Sequence, residues 1–253
     1  MAQESCMSAQ VVPSLTANDG AGEVLHGLSA DDGHAGYESP QTPPLVVEVR
    51  QACIDDIAQL VNLQFEVYPP SGFPPINRWN ASSLEKHQRV FAPGQLVAEV
   101  DGRIVGAATT MIGRSERFEK PHRFLDVIGS TRLNAHDPLG DALYGVDICV
   151  SPFFRRRHVG RALYDARFAL QAALSLPFFY AGARVPGYGA LKDAMPIEQY
   201  LDEVRRGVRN DATLSVQLRL GFEAIRPLPD YLPDPETGNY AVLIRRAARG
   251  REV

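Results

Sequence analysis

Val146-Asp-Ile-Cys-Val-Ser-Pro-Phe-Phe-Arg-Arg-Arg-His-Val-Gly-Arg-Ala-Leu-Tyr164 reads as a strand, a tight basic loop and the opening turns of a helix. From Leu143 to Val150 the residues are apolar or β-branched, with one acid, Asp147, breaking the run, which predicts a buried strand. Ser151-Pro152 ends it, because proline has no N–H to give a ladder. From Val159 the period turns helical. Val159, Ala162, Leu163, Ala166, Leu170, Ala173 and Leu174 fall on one face, and Arg161, Asp165 and Gln171 lie away from it. Arg161 and Asp165 are spaced for a surface pair at i, i+4.

The loop between strand and helix carries the chemistry. A helix N-terminus presents unpaired N–H groups and the positive end of the helix dipole, so it favours an anion. Gly160 lets the backbone come close to a ligand, and Arg155, Arg156, Arg157 and Arg161 add positive charge. A diphosphate suits such a site. A solvated basic loop that binds nothing would use the same residue types.

Val150-Ser-Pro-Phe-Phe-Arg-Arg-Arg-His-Val-Gly-Arg-Ala-Leu163 resembles the coenzyme A motif of the GNAT superfamily of N-acetyltransferases: valine, proline, aromatic, then Arg/Gln-x-x-Gly-x-Gly/Ala. Aligned from Val150, Arg155 takes the Arg/Gln place, Gly160 the final glycine, and His158 the place where the first glycine is usual. A shifted frame, Arg157-x-x-Gly160-x-Ala162, restores the letters but spoils the spacing from the strand, and the first frame is preferred. The resemblance extends from Val46 to Arg246. Leu143-Tyr-Gly-Val146, Leu163-Tyr-Asp-Ala-Arg167, Gly182-Ala-Arg-Val-Pro-Gly-Tyr188 and Gln217-Leu-Arg-Leu-Gly-Phe222 are similar to the GNAT domain found fused to a carbon–nitrogen hydrolase.

That resemblance implies an α/β (α+β) fold over residues 44–249, with a mixed, mostly antiparallel central sheet, strands four and five splayed apart, and flanking helices. It implies an N-acetyltransferase with acetyl-CoA as cosubstrate and a small amine or amino-acid-like acceptor. It also allows a homodimer, or association with a carbon–nitrogen hydrolase. Ile148, Cys149 and Val150 would then bond the pantetheine arm. Arg155, Arg156, Arg157, His158, Val159, Gly160, Arg161 and Ala162 would hold the diphosphate. A coenzyme A-binding regulatory or partner protein with little catalysis is the alternative.

Asp147 is the candidate general base, since many relatives carry an acid three residues before the valine that corresponds to Val150. The plainer reading is a buried acid paired with an arginine such as Arg184. Strand alternation sets Asp147 on one face with Gly145 and Cys149, and Val146, Ile148 and Val150 on the other. Relatives often place a tyrosine general acid where this chain has Gln217, so Tyr188, beside the expected splay point, is the substitute candidate. Tyr144 and Tyr164 are expected to pack in the core. Tyr68, Phe73 and Trp79, in and after a proline-rich connection, either contact substrate along with Arg184 or cap the core.

Composition bounds the rest. The chain has 253 residues, with 26 Lys+Arg against 30 Asp+Glu and a net charge of −4, which argues against a general nucleic-acid binder. Cys6, Cys53 and Cys149 form no CxxC pair, so neither a disulfide framework nor a zinc site is expected. Asp126, His136 and Asp137 lack the spacing of a metal motif, and no metal is expected. No apolar run has the length of a membrane span and no secretion signal is read, so cytoplasm is the default and no membrane partner is expected. Residues 1–43, rich in Ser, Ala, Gly, Asp and Pro, read as a disordered tail.

A strand at Leu45–Arg50, a helix with Ile57, Leu60, Val61 and Phe65 on one face, and a helix at Ser82–Phe91 precede a hairpin turning at Asp101-Gly102. After the central unit come a strand at Pro177–Arg184, a helix at Ile197–Gly207, and a helix from an Asp211 cap to Leu220. Two strands, Ala224–Arg226 and Tyr240–Arg246, flank a turn-rich segment.

Overall fold

The computed structural model of the chain describes residues 45–72 and 78–248; the expected tail and Phe73 lie outside them. A seven-stranded sheet runs in the order β1-β2-β3-β4-β5-β7-β6. Its strands are β1 (Glu48–Gln51), β2 (Gln95–Val100), β3 (Arg103–Gly113), β4 (Ala142–Val150), β5 (Phe178–Arg184), β6 (Glu223–Leu228) and β7 (Ala241–Ala247). Only β4 and β5 pair in parallel; every other neighbouring pair is antiparallel. The β2–β3 turn is made by Asp101 and Gly102 at φ 50° and 74°, the left-handed pair that a two-residue hairpin demands.

Helices cover both faces. On one lie α1 (Ile57–Val67), α2 (Ala81–Phe91), α3 (Ser115–Glu119) and α4 (Phe124–Ile128). Their Leu60, Leu63, Leu84, Phe118 and Ile128 pack with Val97, Met111, Tyr144 and Tyr180 of the sheet. On the other lie α5 (Val159–Ala173), α6 (Ile197–Arg205) and α7 (Leu214–Arg219). Val159, Ala162, Leu163 and Ala166 of α5 pack on Leu96, Ala98, Val105 and Ala108, and Leu201 and Leu214 meet Phe179, Val242 and Ile244. Neighbouring strand residues thus enter opposite layers, as the pleat requires.

Several sequence expectations shift in detail. The 113–140 connection, read as a loop, folds as α3 and α4. Phe65 is exposed under the guanidinium of Arg78, whereas Leu63 and the polar Gln64 turn inward. At the end of α5 Ala173 and Leu174 are exposed, and Gln171, expected outside, is buried between the Leu176 carbonyl and Arg246. A straight stripe drawn through α5 is turned by these polar anchors. Asp211 does tie off α7: its Oδ1 accepts from the N–H groups of Thr213 and Leu214 at 2.9 and 2.8 Å.

Among the described residues, no helix is long and apolar enough to cross a membrane, and no group of three or more His, Cys, Asp or Glu side chains could hold a metal ion.

Candidate active site at the splayed strands

The β4–β5 ladder runs only from Ala142↔Phe178 to Gly145↔Ala181, although β4 continues to Val150 and β5 to Arg184. From Val146 onward the β5-facing edge of β4 has no strand beside it. The register between β3 and β4 slips at the same level. Asp147 stands opposite Thr109 and Gly145 opposite Thr110, so Val146 is the extra residue of a bulge. The bulge also corrects the simple alternation expected from sequence. Val146 joins Tyr144 and Cys149 in one layer, and Ile148 and Val150 pack on the other side.

A cavity of about 160 Å³ fills the opening. Gly145 to Ile148 form one wall, Ala181, Gly182 and Arg184 the other, and Tyr68, Trp79, Tyr164, Arg167, Gln217 and Tyr231 close it. Three donors reach the Asp147 carboxylate. The Tyr68 hydroxyl donates to Oδ1 at 3.0 Å, the Trp79 indole N–H to Oδ2 at 3.2 Å, and the Gln64 amide to Oδ2 at 3.3 Å. Burial, followed by the charge of Asp147, pushes the Tyr68 phenol well up, so it remains a proton donor. Tyr68 and Trp79 line the cavity through contacts to the carboxylate, and both also pack on the core, Trp79 against His87 and Phe124. Arg184 also lines it, with its guanidinium 2.7 Å from Asp234 and 2.9 Å from Glu236.

Arg167 supplies the charge beneath. Although 2% exposed, its guanidinium donates to the carbonyl of Thr109 at 2.7 Å and to that of Asp147, one from each strand at the bulge. Burial pulls its pKa down, and the nearby Tyr164, Asp147 and Cys149 act against that pull. Removing the guanidinium would leave two buried carbonyls without this donor, at a cost of about 1–3 kcal/mol each. The sequence reading passed over both Arg167 and Gln64. The signal was there: each is a polar residue at i+4 from an apolar one, Leu163 and Leu60, inside a buried helical stripe.

The Gln217 amide donates to the Tyr164 hydroxyl at 2.8 Å, and its Oε1 has no partner among the described residues. Tyr164 packs in the core as expected, against Phe168 and Phe222, and it also lines the cavity, with its oxygen accepting and its own proton available. Tyr188 is not brought here. It packs between Tyr200 and Tyr240 and donates to the Met195 carbonyl at 3.1 Å.

At the open end, β4 passes into α5 through the basic loop. Arg155, Arg156, Arg157 and His158 are exposed, and Arg157 lies over the Phe154 ring at 5.7 Å. Arg161 is 2.8 Å from Asp165, as the spacing suggested. His158 precedes the helix at φ 59°, in the left-handed region, which explains why a glycine is usual there. Among the described residues the His158 side chain makes no capping hydrogen bond to the helix N-terminus. A Cβ added at Gly160 would meet only Val150 Cγ2, at 3.9 Å, so the first turn is open to a ligand. Val159 and Ala162 point into the core instead. Ile148 lines the cavity, Val150 packs toward α5, and the Cys149 thiol accepts from Gln64 at 3.5 Å.

Residues 54–176 match the acetyltransferase (GNAT) family. The chain is 34% identical over 196 residues to an uncharacterized N-acetyltransferase, YkwB, of Bacillus subtilis (strain 168), covering 78% of this chain and 86% of that one. It is 32% identical over 190 residues to a probable hydrolase, YhcX, of the same organism, covering 75% of this chain but only 36% of YhcX. The GNAT-like decarboxylase GphF, solved with isobutyryl-CoA, superposes with a TM-score of 0.69 at 22% identity, over 79% of this chain and 99% of that one. With these matches, the splayed strands and the open helix N-terminus, the chain belongs to the GNAT acetyltransferase family.

Proposed function

We propose that residues 44–249 form one catalytic domain, an acyl-CoA-dependent N-acyltransferase that moves an acetyl group to a primary amine of a small, amino-acid-like acceptor. The observation that carries this reading is the Asp147 carboxylate, held by Tyr68, Trp79 and Gln64 in a cavity at the splay of β4 and β5. The diphosphate of coenzyme A would lie on the first turn of α5, against Arg155 to Ala162. The pantetheine arm would follow the unpaired edge of Val146 to Val150 and bring the thioester to the cavity.

An acceptor route is available beside it. A groove of about 630 Å³ adjoins the cavity through Phe124, Tyr231 and Leu232, and its two acids, Asp126 and Asp230, outnumber its one base, Arg123, which leaves it room and a net negative lining for an amine. In the reaction Asp147 takes a proton from the amine nitrogen as that nitrogen attacks the thioester carbonyl. The C–S bond then breaks, Tyr164, its oxygen held by Gln217, donates to the departing sulfur, and the proton taken by Asp147 returns to the Tyr164 oxygen. Tyr164 takes the acid's part here because Tyr188 lies elsewhere.

The partial match to YhcX supports association with a hydrolase, and cytoplasmic residence and a homodimer belong to the same reading. Asp147→Asn tests it by keeping the shape and removing the base. Turnover should fall about a hundredfold or more, with acetyl-CoA affinity within about threefold. Retained turnover would place the base elsewhere, and unfolding would make Asp147 structural.

A further inference from the structure

A chain of three side chains leads from the cavity to the surface. The Tyr231 hydroxyl lies 2.9 Å from that of Tyr144, which lies 3.0 Å from Nε2 of His122. Tyr231 lines the cavity and Tyr144 is fully buried, whereas His122 is partly exposed. Room for this arrangement is made at Gly182 of β5, where a Cβ would fall 2.3 Å from the Tyr231 oxygen. The main chain of Tyr231 is pinned as well, its carbonyl accepting from the Phe124 N–H at 2.8 Å.

The direction of these bonds follows from one contact. Nδ1 of His122 is 2.7 Å from the Lys120 carbonyl, which can only accept, so Nδ1 carries the ring proton. Burial, with Arg226 and Arg117 nearby, holds the imidazole pKa down, while Asp126 and the Lys120 carbonyl favour the cation. In the neutral ring Nε2 is bare and accepts from Tyr144, whose oxygen then accepts from Tyr231. The Tyr231 oxygen is left facing the cavity as an acceptor.

Acyl transfer needs such an acceptor. An ammonium enters with three N–H protons and leaves as an amide with one. One of the two lost protons ends on the coenzyme sulfur, and the other must leave a site that the bound thioester and amine fill. We infer that Tyr231, Tyr144 and His122 form the outlet for that second proton, a conclusion that rests on the acyl transfer proposed above. The ammonium N–H bond breaks toward the Tyr231 oxygen, the Tyr231 proton passes to Tyr144, and the Tyr144 proton passes to Nε2 of His122. The imidazolium then gives its Nδ1 proton to bulk water, proton exchange with water restores the Nδ1–H tautomer, and the hydroxyls turn back. Tyr231 is the catalytic member; Tyr144 and His122 act through it.

The test uses the full chain with acetyl-CoA and, in turn, spermidine, L-lysine and glycinamide, following thiol release. Tyr144→Phe and His122→Ala should each lower kcat at least about tenfold and leave acetyl-CoA affinity unchanged. Added imidazole should restore His122→Ala, and nitrogen NMR should find the His122 ring proton on Nδ1. Wild-type kcat in Tyr144→Phe, no rescue by imidazole, or a ring proton on Nε2 would overturn the outlet while leaving the transferase reading in place. Should Tyr144→Phe fail to fold, His122→Ala and the NMR spectrum decide. Coenzyme A binding without thiol release from any of the three amines by the wild type would sink the transfer reading, and the outlet with it.

Discussion

Replacing Gly160 by leucine should make the protein more stable and a poorer binder of coenzyme A. Gly160 is the second residue of α5, with only Val150 Cγ2 near its missing Cβ, at 3.9 Å. A side chain there strains nothing and raises helix propensity. A glycine inside a helix costs about 0.8–1 kcal/mol relative to alanine, and leucine ranks close to alanine. Allowing for the frayed first turn, a gain of about 0.5 kcal/mol, or ~1–2 °C in Tm, is expected. The same leucine occupies the space where a diphosphate must approach the helix N–H groups. Affinity should fall at least about tenfold, or about 1.4 kcal/mol. Thermal unfolding and titration calorimetry with coenzyme A read the two effects separately, and their opposite signs separate a blocked site from a damaged fold. Unchanged affinity would refute the placement of the diphosphate.

Two further outcomes are expected. His158→Gly relieves a non-glycine φ of 59° and should stabilise the fold by about 0.5–1 kcal/mol in urea unfolding; a loss would show that the imidazole contributes more than its backbone costs. His87 is fully buried, with Nε2 2.8 Å from the Thr131 carbonyl, and burial holds its pKa at about 4 rather than 6.5. Its folded pKa lies below the unfolded one, so its contribution is complete above pH 6.5 and is lost as pH falls toward 4. That loss totals about 3 kcal/mol. His87→Gln should flatten the slope of stability against pH in that window, and an unaltered slope would contradict the assignment.

The order of the strands and of the longer helices was legible because period and turn chemistry are local, whereas the five-residue helices α3 and α4 are too short to show a period. Asp101-Gly102 marked its hairpin, and Val150 to Gly160 marked the loop from β4 into α5. The bulge at Val146 was not legible, since a register slip belongs to two strands, and one inserted residue moves Val146 to the layer opposite Ile148. Asp147 was found from its place in the motif. Its partners Gln64, Tyr68 and Trp79 come from 68 to 83 residues away and meet it only in the folded sheet. Tyr231 sits in what reads as a turn-rich connection, and nothing local shows that Gly182 leaves space for its ring. Tyr188 looked close along the chain to the splay point, yet the turn after β5 carries it into the layer with Tyr200 and Tyr240.

The central claim is that this cavity joins an acyl-CoA to an amine. Its most direct test is mass spectrometry of an amine panel incubated with the full chain and isotope-labelled acetyl-CoA, with free thiol measured in parallel. The expected result is one labelled acetamide formed in step with free coenzyme A, and abolished by Asp147→Asn. Coenzyme A binding without thiol release would make the chain a binding protein, and thiol release without an amide product would make it a thioesterase; either result contradicts the account.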